Sequence, residues 1–208
     1  MTNIKVILFD WHNTLSKNVF WENIQETDTD LYNNIRNRIF NENNCNIIKD
    51  WMRGKFSSKQ FLKKFAKDNK ELKFLEDELV KSCESMKFAY ENIEETFINL
   101  KSKGIKLGIA SDNMDTFKKY TAPKLKLNKY FDNILSSNEI GYLKTDLINN
   151  EPIFFNEFLK SNNYSYNDCL FIDDSEKTTN LYKQKNMNVE RIKDTCNIVN
   201  IIKKYIEF

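Results

Sequence analysis

The apolar residues near the start of the chain form a run from Ile4 to Phe9 that ends in Asp10. Such a run, rich in Val, Ile and Leu, is typical of a central strand in a parallel sheet that is buried on both faces. The next run of this character comes only at Ile105 to Ala110. Two neighbouring strands of one sheet are therefore predicted, with a large segment between them.

The segment between these strands has a helical period. Its apolar residues recur three and four positions apart, as in Phe61, Leu62 and Phe65. No proline interrupts residues 16–90, and Gly54 is the only glycine among them. The pattern predicts a helical insertion over these residues.

Helical and strand patterns alternate after Glu91. The predicted helices are Ile93 to Lys103, Met114 to Tyr120, about Pro152 to Ser161 and, as the final helix, Lys177 to Lys185. The predicted strands are Ile105 to Ala110, Asn133 to Ser136, Cys169 to Ile172 and an edge strand at Val189 to Ile192. This alternation predicts an α/β fold, a Rossmann-like doubly wound parallel sheet. Residues 1–15 and 91–208 would form this core, and residues 16–90 a helical cap inserted into it.

Charge and hydropathy narrow the expected partners. The 208 residues include 32 Lys and Arg against 30 Asp and Glu, a net charge of +2. A chain with so little net charge has no strong positive electrostatic field to attract a polyanion, so nucleic acid is not an expected partner. No apolar stretch approaches the length of a membrane span, and the first apolar run is too short for a signal peptide. We therefore expect no membrane contact. The expected assembly is a monomer or a homodimer.

The cysteines do not form a metal or disulfide pattern. They are far apart, with no CxxC pair and no neighbouring histidine, at Cys45, Cys83, Cys169 and Cys196. A structural zinc site is not predicted, and reduced thiols in a cytoplasmic protein fit the spacing better than a disulfide framework.

Polar side chains follow each predicted strand. They are Asp10 with His12, Ser111, Lys144, and the pair Asp173 and Asp174. Ligands of parallel sheets bind beyond the carboxyl ends of the strands, so these groups should share one crevice. Carboxylates from two strand ends suit Mg²⁺, while Ser111 at a helix start and the Lys144 charge suit phosphate oxygens.

Each of these residues also has a plainer interpretation. Asp10 could simply start a loop, Ser111 could cap a helix, and Lys144 could be a surface charge. Two adjacent aspartates repel, so a cation or a lysine must compensate them if both are to ionise. The whole set, in this order along the chain, predicts a phosphoryl-transfer site.

Four motifs in this order resemble those of the haloacid dehalogenase superfamily of aspartate-nucleophile phosphohydrolases. They are FDWHNTL at 9–15, IASDN at 109–113, the Lys144 of EIGYLKTD at 139–146, and FIDDS at 171–175. The segment WMRGKFSSKQFLKKFAK at 51–67 is similar to the helical cap of the family's first cap class. The resemblance covers nearly the whole chain.

The resemblance implies a role for each matching residue. Asp10 would attack phosphorus and become an aspartyl phosphate. Asp10, Asp174 and the backbone carbonyl of His12 would bind Mg²⁺, with Asp173 acting through water or from behind the ligands. The remaining matches would contact or orient the phosphoryl group: Ser111 and Lys144 directly, Thr14 by bracing the loop, and Asn113 at the helix start.

The chain departs from the family's phosphatases at three positions. His12 stands where they usually carry a second aspartate, Asn13 replaces a glycine, and Thr145 replaces a proline. Imidazole can act as acid and as base near neutral pH, so His12 could do the work of that aspartate. It could instead slow hydrolysis, so that the phosphoryl group passes to another acceptor, or mark a site that binds without turnover.

We predict a Mg²⁺-dependent phosphatase that acts on a small phosphorylated metabolite, with Asp10, His12 and Lys144 as catalytic residues. In the cap, Trp21, Trp51, Met52 and Arg53 are candidates to meet the substrate; Arg53 could bind a second anion or be structural. Dehalogenation is less expected, because that branch does not usually keep the acidic pair. The alternatives are a catalytically weak protein that binds a phosphorylated ligand or a protein partner, a phosphotransferase, and a scaffold subunit.

Overall fold

The computed structural model describes residues 4–193 and 198–207. Its strands are β1 (Val6–Phe9), β2 (Lys106–Ser111), β3 (Asn133–Ser136), β4 (Leu147–Ile148), β5 (Glu151–Pro152), β6 (Cys169–Asp173) and β7 (Asn188–Arg191). Five of them form a parallel sheet in the order β3-β2-β1-β6-β7, while β4 and β5 form a separate antiparallel pair. The predicted α/β fold with a Rossmann-like parallel sheet is confirmed.

The helices fall before and after Glu91, beyond which the sequence predicts that the core resumes. Those before it are α1 (Glu22–Gln25), α2 (Thr29–Ile39), α3 (Cys45–Met52), α4 (Ser58–Leu62) and α5 (Asn69–Ser85). Those after it are α6 (Ile93–Ser102), α7 (Ala122–Lys124), α8 (Ser137–Ile140), α9 (Asn156–Asn162), α10 (Glu176–Lys183) and α11 (Ile198–Lys203). We call α1 to α5 the inserted helices.

Strand β1 lies at the centre of the sheet, as its apolar pattern predicts. All of its residues are buried, and its side chains alternate between two apolar clusters. Ile7 and Phe9 pack on one face of the sheet, and Val6 and Leu8 pack on the other. Because both faces are covered by other elements, a continuous apolar strand is the stable solution here.

The inserted helices have an apolar cluster of their own. Trp51 and Phe61 stack at its centre with ring centroids 4.0 Å apart, and both are fully buried. The helices begin at polar caps, since Asp28 accepts a hydrogen bond from the Leu31 amide and Ser57 forms a capping box with Gln60. Such caps satisfy amides that a helix start leaves unpaired. The helical prediction for this segment agrees with the structure.

A short seam joins the end of α3 to the core. The Ser137 hydroxyl donates to the Met52 carbonyl at 2.8 Å, and the side-chain amide of Asn138 donates to the Trp51 carbonyl at 3.2 Å. The Trp51 indole N–H donates to Asp115 at 3.2 Å. These contacts hold one end of the inserted helices against the starts of the helices that follow β2 and β3.

Several details differ from the sequence prediction. The helix after β2 widens into a π turn at Phe117–Thr121, where the Ala122 amide donates to the Phe117 carbonyl. The next residue is Pro123, whose ring cannot sit over the carbonyl four residues earlier in a regular helix. The segment after Lys144 contains the β4–β5 pair, so α9 begins at Asn156 and not near Pro152.

The prediction that Lys177 to Lys185 is the final helix is wrong. Helix α11 follows β7, and its buried Ile198 and Ile202 pack on the same apolar cluster as β1. Cys169 is buried in β6, as predicted, and Cys196 lies outside the described residues. None of the helices in the described part of the chain has both the length and the apolar run that a membrane crossing requires.

We predict that Gly54→Ala destabilises the protein more than Gly104→Ala. Both glycines have positive φ, where an alanine costs about 1–2 kcal/mol. A Cβ at Gly104 would meet nothing, whereas a Cβ at Gly54 would overlap the backbone carbonyl of Asn138 in the seam. Urea unfolding of the two variants measures the difference. Equal losses of stability would contradict this close approach of α3 to the core.

Candidate active site

Three carboxylates meet at the carboxyl edge of the sheet. Asp10 follows β1, and Asp173 and Asp174 come at the end of β6. The register pairs Phe9 with Ile172, and the Asp10 amide donates to the Ile172 carbonyl at 2.9 Å. One oxygen from each carboxylate lies within 4.8 Å of the others. Such a set of hard oxygen donors could hold a divalent cation.

The Lys144 ammonium lies between two of these carboxylates. Its Nζ is 2.8 Å from Oδ1 of Asp10 and 2.6 Å from Oδ2 of Asp173. The three side chains are almost completely buried, with 3%, 6% and 0% of the surface of Lys144, Asp10 and Asp173 exposed. An ion cluster this deep is costly to form, and each charge depends on the others for compensation.

Burial and charge act in opposite directions on these groups. Burial raises the pKa of Asp10 and of Asp173, and the Lys144 charge offsets only part of that effect. Burial alone would lower the pKa of Lys144, but the carboxylates of Asp10, Asp173 and Asp112 outweigh it and raise the pKa above its usual value. Lys144 is therefore the protonated partner in the cluster.

Neighbouring groups hold the Lys144 backbone in place. Its amide donates to Asp112 at 2.8 Å, and its carbonyl accepts from the buried Tyr182 hydroxyl at 2.8 Å. Asp146 accepts from the Leu143 amide at 2.8 Å and closes the turn around Lys144. Sequence reasoning missed Asp112 and Asp146, although both stand within motifs that it identified.

His12 and Asn13 form the turn that follows β1. Asn13 has a φ of 57°, the left-handed conformation that glycine would otherwise supply. Its side-chain amide donates to Oδ2 of Asp174 at 3.1 Å, which ties the turn to the acidic cluster. His12 is exposed and lines a cavity beside the cluster. The sequence allowed the replacement at Asn13 but did not predict its contact with Asp174.

Thr14, Ser111 and Asn113 are all buried near these strand ends. The Thr14 hydroxyl has no hydrogen-bond partner within the described structure. Ser111 is the last residue of β2, and Asn113 accepts from the Met114 amide at 2.9 Å at the start of the next helix. The backbone amide of Asn113 donates to the Ser137 hydroxyl of the seam at 2.9 Å. Asn113 therefore lies just before the helix start, with its side-chain oxygen on the Met114 amide.

The candidate residues of the inserted helices separate into two groups. Trp21 and Trp51 are fully buried in the apolar cluster, so the expectation that they meet the substrate is not supported. Arg53 donates from Nε and Nη2 to the two oxygens of Asp146 at 2.7 and 2.6 Å. Its predicted contact with a substrate anion would require this ion pair to open. Met52 alone of the four lines the cavity beside His12.

We predict that Lys144→Met lowers the free energy of unfolding by about 3–5 kcal/mol, because it leaves two buried carboxylates without their cation. The loss should be larger near about pH 8 than near about pH 5, since protonation neutralises carboxyls whose pKa is raised. Urea unfolding without divalent cations measures both effects.

The control for this prediction is Lys73→Met, which removes an exposed lysine paired with Asp77. A surface pair of this kind contributes little to stability. If Lys144→Met cost no more than Lys73→Met, the buried ammonium would not be compensating the two carboxylates.

Solved structures of similar fold cover almost the whole chain. A predicted HAD-like family hydrolase from Porphyromonas gingivalis has 16% identity and a TM-score of 0.70, over 99% of this chain and 100% of that one. An HAD family enzyme from Bacteroides thetaiotaomicron, in complex with magnesium and inorganic phosphate, has 17% identity and a TM-score of 0.68, over 91% and 94% of the two chains.

The fold is also shared with a dehalogenase. The L-2-haloacid dehalogenase of Xanthobacter autotrophicus, with chloropropionic acid covalently bound, has 14% identity and a TM-score of 0.63, over 91% of this chain and 77% of that one. A search of curated proteins found no match. Identities this low show a common fold and leave the substrate open.

The family itself is shown by a sequence model. The model of the haloacid dehalogenase-like hydrolase matches residues 4–177, which include all four motifs and the inserted helices. With the parallel sheet and the acidic cluster at its carboxyl edge, the match confirms the resemblance. The chain belongs to the haloacid dehalogenase-like hydrolases.

Proposed function

We propose that this hydrolase is a Mg²⁺-dependent phosphatase for a small phosphorylated metabolite, with Asp10 as its nucleophile. The observation that carries the proposal is the buried cluster, in which Lys144 contacts Asp10 and Asp173 while Asp174 lies beside them. A carboxylate can displace a halide from carbon without a divalent cation, so three carboxylates that could hold one do not favour a dehalogenase. A phosphatase needs that cation to offset the charge of the phosphoryl oxygens.

The chemistry of the donor set fits Mg²⁺. Both oxygens of Asp173 already accept hydrogen bonds, from the Lys144 ammonium and from the Ser175 amide at 2.7 Å. In line with the family resemblance, Asp10 and Asp174, with the carbonyl of His12, would hold the metal, and Asp173 would act from behind them. When bound, Mg²⁺ would neutralise charge on the phosphoryl oxygens and help to align them.

The chain's own residues divide the remaining work. The Asp10 carboxylate forms a bond to phosphorus as the ester oxygen leaves, and water later releases the phosphoryl group from Asp10. Lys144 fixes the orientation of the Asp10 carboxylate through its 2.8 Å contact. Ser111 and Lys144 would bind phosphoryl oxygens, and the unpaired Thr14 hydroxyl is available to brace the same group.

His12 is the residue we assign to proton transfer. It is exposed at the edge of the cavity, two positions after Asp10. There an imidazole can protonate the leaving oxygen and then take a proton from the attacking water. The inserted helices cover this cavity from the other side, and we propose that residues 16–90 act as the cap that admits small substrates.

The test of the nucleophile is phosphate release from an aryl phosphate and from a panel of small phosphate esters, with Mg²⁺ or with EDTA. We predict turnover that needs Mg²⁺ and falls to the blank in Asp10→Asn. The control variant Asp77→Asn changes an exposed aspartate of α5 and should keep full activity. Activity that survives Asp10→Asn would contradict the mechanism. Chloride release from L-2-chloropropionate, measured in parallel, tests dehalogenation.

A second prediction concerns His12. His12→Gln should lower kcat by about 100-fold or more on esters with a poor leaving group, because proton transfer is lost. His12→Asp should keep most of the activity, since a carboxyl can do the same work. Unchanged turnover in His12→Gln would remove His12 from the mechanism.

The same assay separates the alternatives. Phosphate transfer to an added alcohol that exceeds release to water would identify a phosphotransferase. No turnover, together with a melting temperature raised by Mg²⁺ and inorganic phosphate, would identify a binding protein.

A further inference from the structure

The cavity beside His12 has a composition that restricts its occupant. It has a volume of about 260 Å³ and lies between the inserted helices and the loops after β1 and β2. Its walls are mainly apolar: Phe20, Phe40, Ile48, Met52, Met86 and Met114. Apolar walls favour an apolar body, and methionine side chains adapt to flat or irregular shapes.

Arg36 is the cation of this cavity, and its guanidinium has no carboxylate partner among the described residues. Its Cζ lies over the rings of Tyr32 and Phe40, at 5.6 and 5.1 Å from their centroids. The chain's other arginines all pair with carboxylates: Arg38 with Glu71, Arg53 with Asp146 and Arg191 with Glu176. Aromatic faces hold the Arg36 fork in place and leave its donors for another group.

The other polar groups on the cavity wall are largely engaged within the protein. The side-chain amide of Asn18 donates to Glu22, and its side-chain oxygen accepts from the Lys87 backbone amide. Asp112 accepts from the Lys144 amide, and Asn113 accepts from the Met114 amide. A ligand with many hydroxyl groups would therefore lose water without gaining enough hydrogen bonds in return.

We propose that the substrate is a phosphate monoester whose leaving group has a compact apolar body and ends in a carboxylate that Arg36 binds. The phosphoryl group would lie at Asp10, the apolar body along the methionine and phenylalanine walls, and the carboxylate at the guanidinium. This inference rests on the proposed phosphatase activity for its orientation. The guanidinium fork matches a planar carboxylate with two hydrogen bonds.

The kinetic test uses aryl phosphates that carry a carboxylate on spacers of increasing length, each matched with its carboxamide. For one spacer length, we predict that kcat/KM favours the carboxylate by about 10-fold or more, as expected for a charge-assisted hydrogen bond. Arg36→Gln should abolish this preference through KM, and Arg36→Lys should restore part of it. Arg38→Gln, on the same helix, should keep it, because Arg38 pairs with Glu71 outside the cavity.

A binding measurement separates failure of this inference from failure of the proposed function. Calorimetry with Asp10→Asn measures the affinity of the carboxylate and carboxamide esters without turnover. Tighter binding of the carboxylate that disappears when Arg36→Gln is added supports the inference, even if the wild-type protein hydrolyses none of them. Equal affinity, equal kcat/KM for all pairs, or a preference for sugar phosphates would overturn it.

Discussion

The buried ion cluster of Lys144, Asp10 and Asp173 is the constraint on which the rest of the site depends. Two carboxylates from adjacent strands cannot be buried together as anions unless a cation lies between them. The loop that carries Lys144 is fixed by hydrogen bonds to Asp112 and Tyr182 and by the turn that Asp146 closes. The cluster thereby joins the ends of β1 and β6 to a loop that is distant in sequence.

The loop that carries Lys144 also links the inserted helices to the residues of the candidate active site. Arg53, at the end of α3, grips Asp146 two residues after Lys144, and the seam at Met52 and Ser137 lies beside it. A change in the position of α3 would therefore reach the loop that carries the buried ammonium. Arg53 acts here by positioning the loop through Asp146. The cation that lines the cavity is Arg36, which has no carboxylate partner among the described residues.

The sheet and the strand-end residues could be predicted because their signals are local. An apolar run indicates a strand buried on both faces, and a polar residue at its end, such as Asp10, Ser111 or Asp173, indicates a functional group. Parallel strands bring their carboxyl ends together, so these residues lie close to one another. The contacts of Arg53 with Asp146 and of Asn13 with Asp174 could not be predicted, because polar partners far apart in sequence leave no period in the chain. Trp21 and Trp51 had two plausible places, and only the packing of the inserted helices showed that both are core residues. The short β4–β5 pair and α11 carry too few residues to give a clear pattern.

The most direct test of the account is to trap the phosphoryl group on the protein. The wild-type chain is mixed with a radiolabelled phosphate ester and Mg²⁺, quenched in acid within a single turnover, and digested for peptide mapping. We predict that the label is found on the peptide that contains Asp10 and is absent from Asp10→Asn. Turnover with the label on another peptide, or with no label on the protein at any quench time, would contradict Asp10 as the nucleophile.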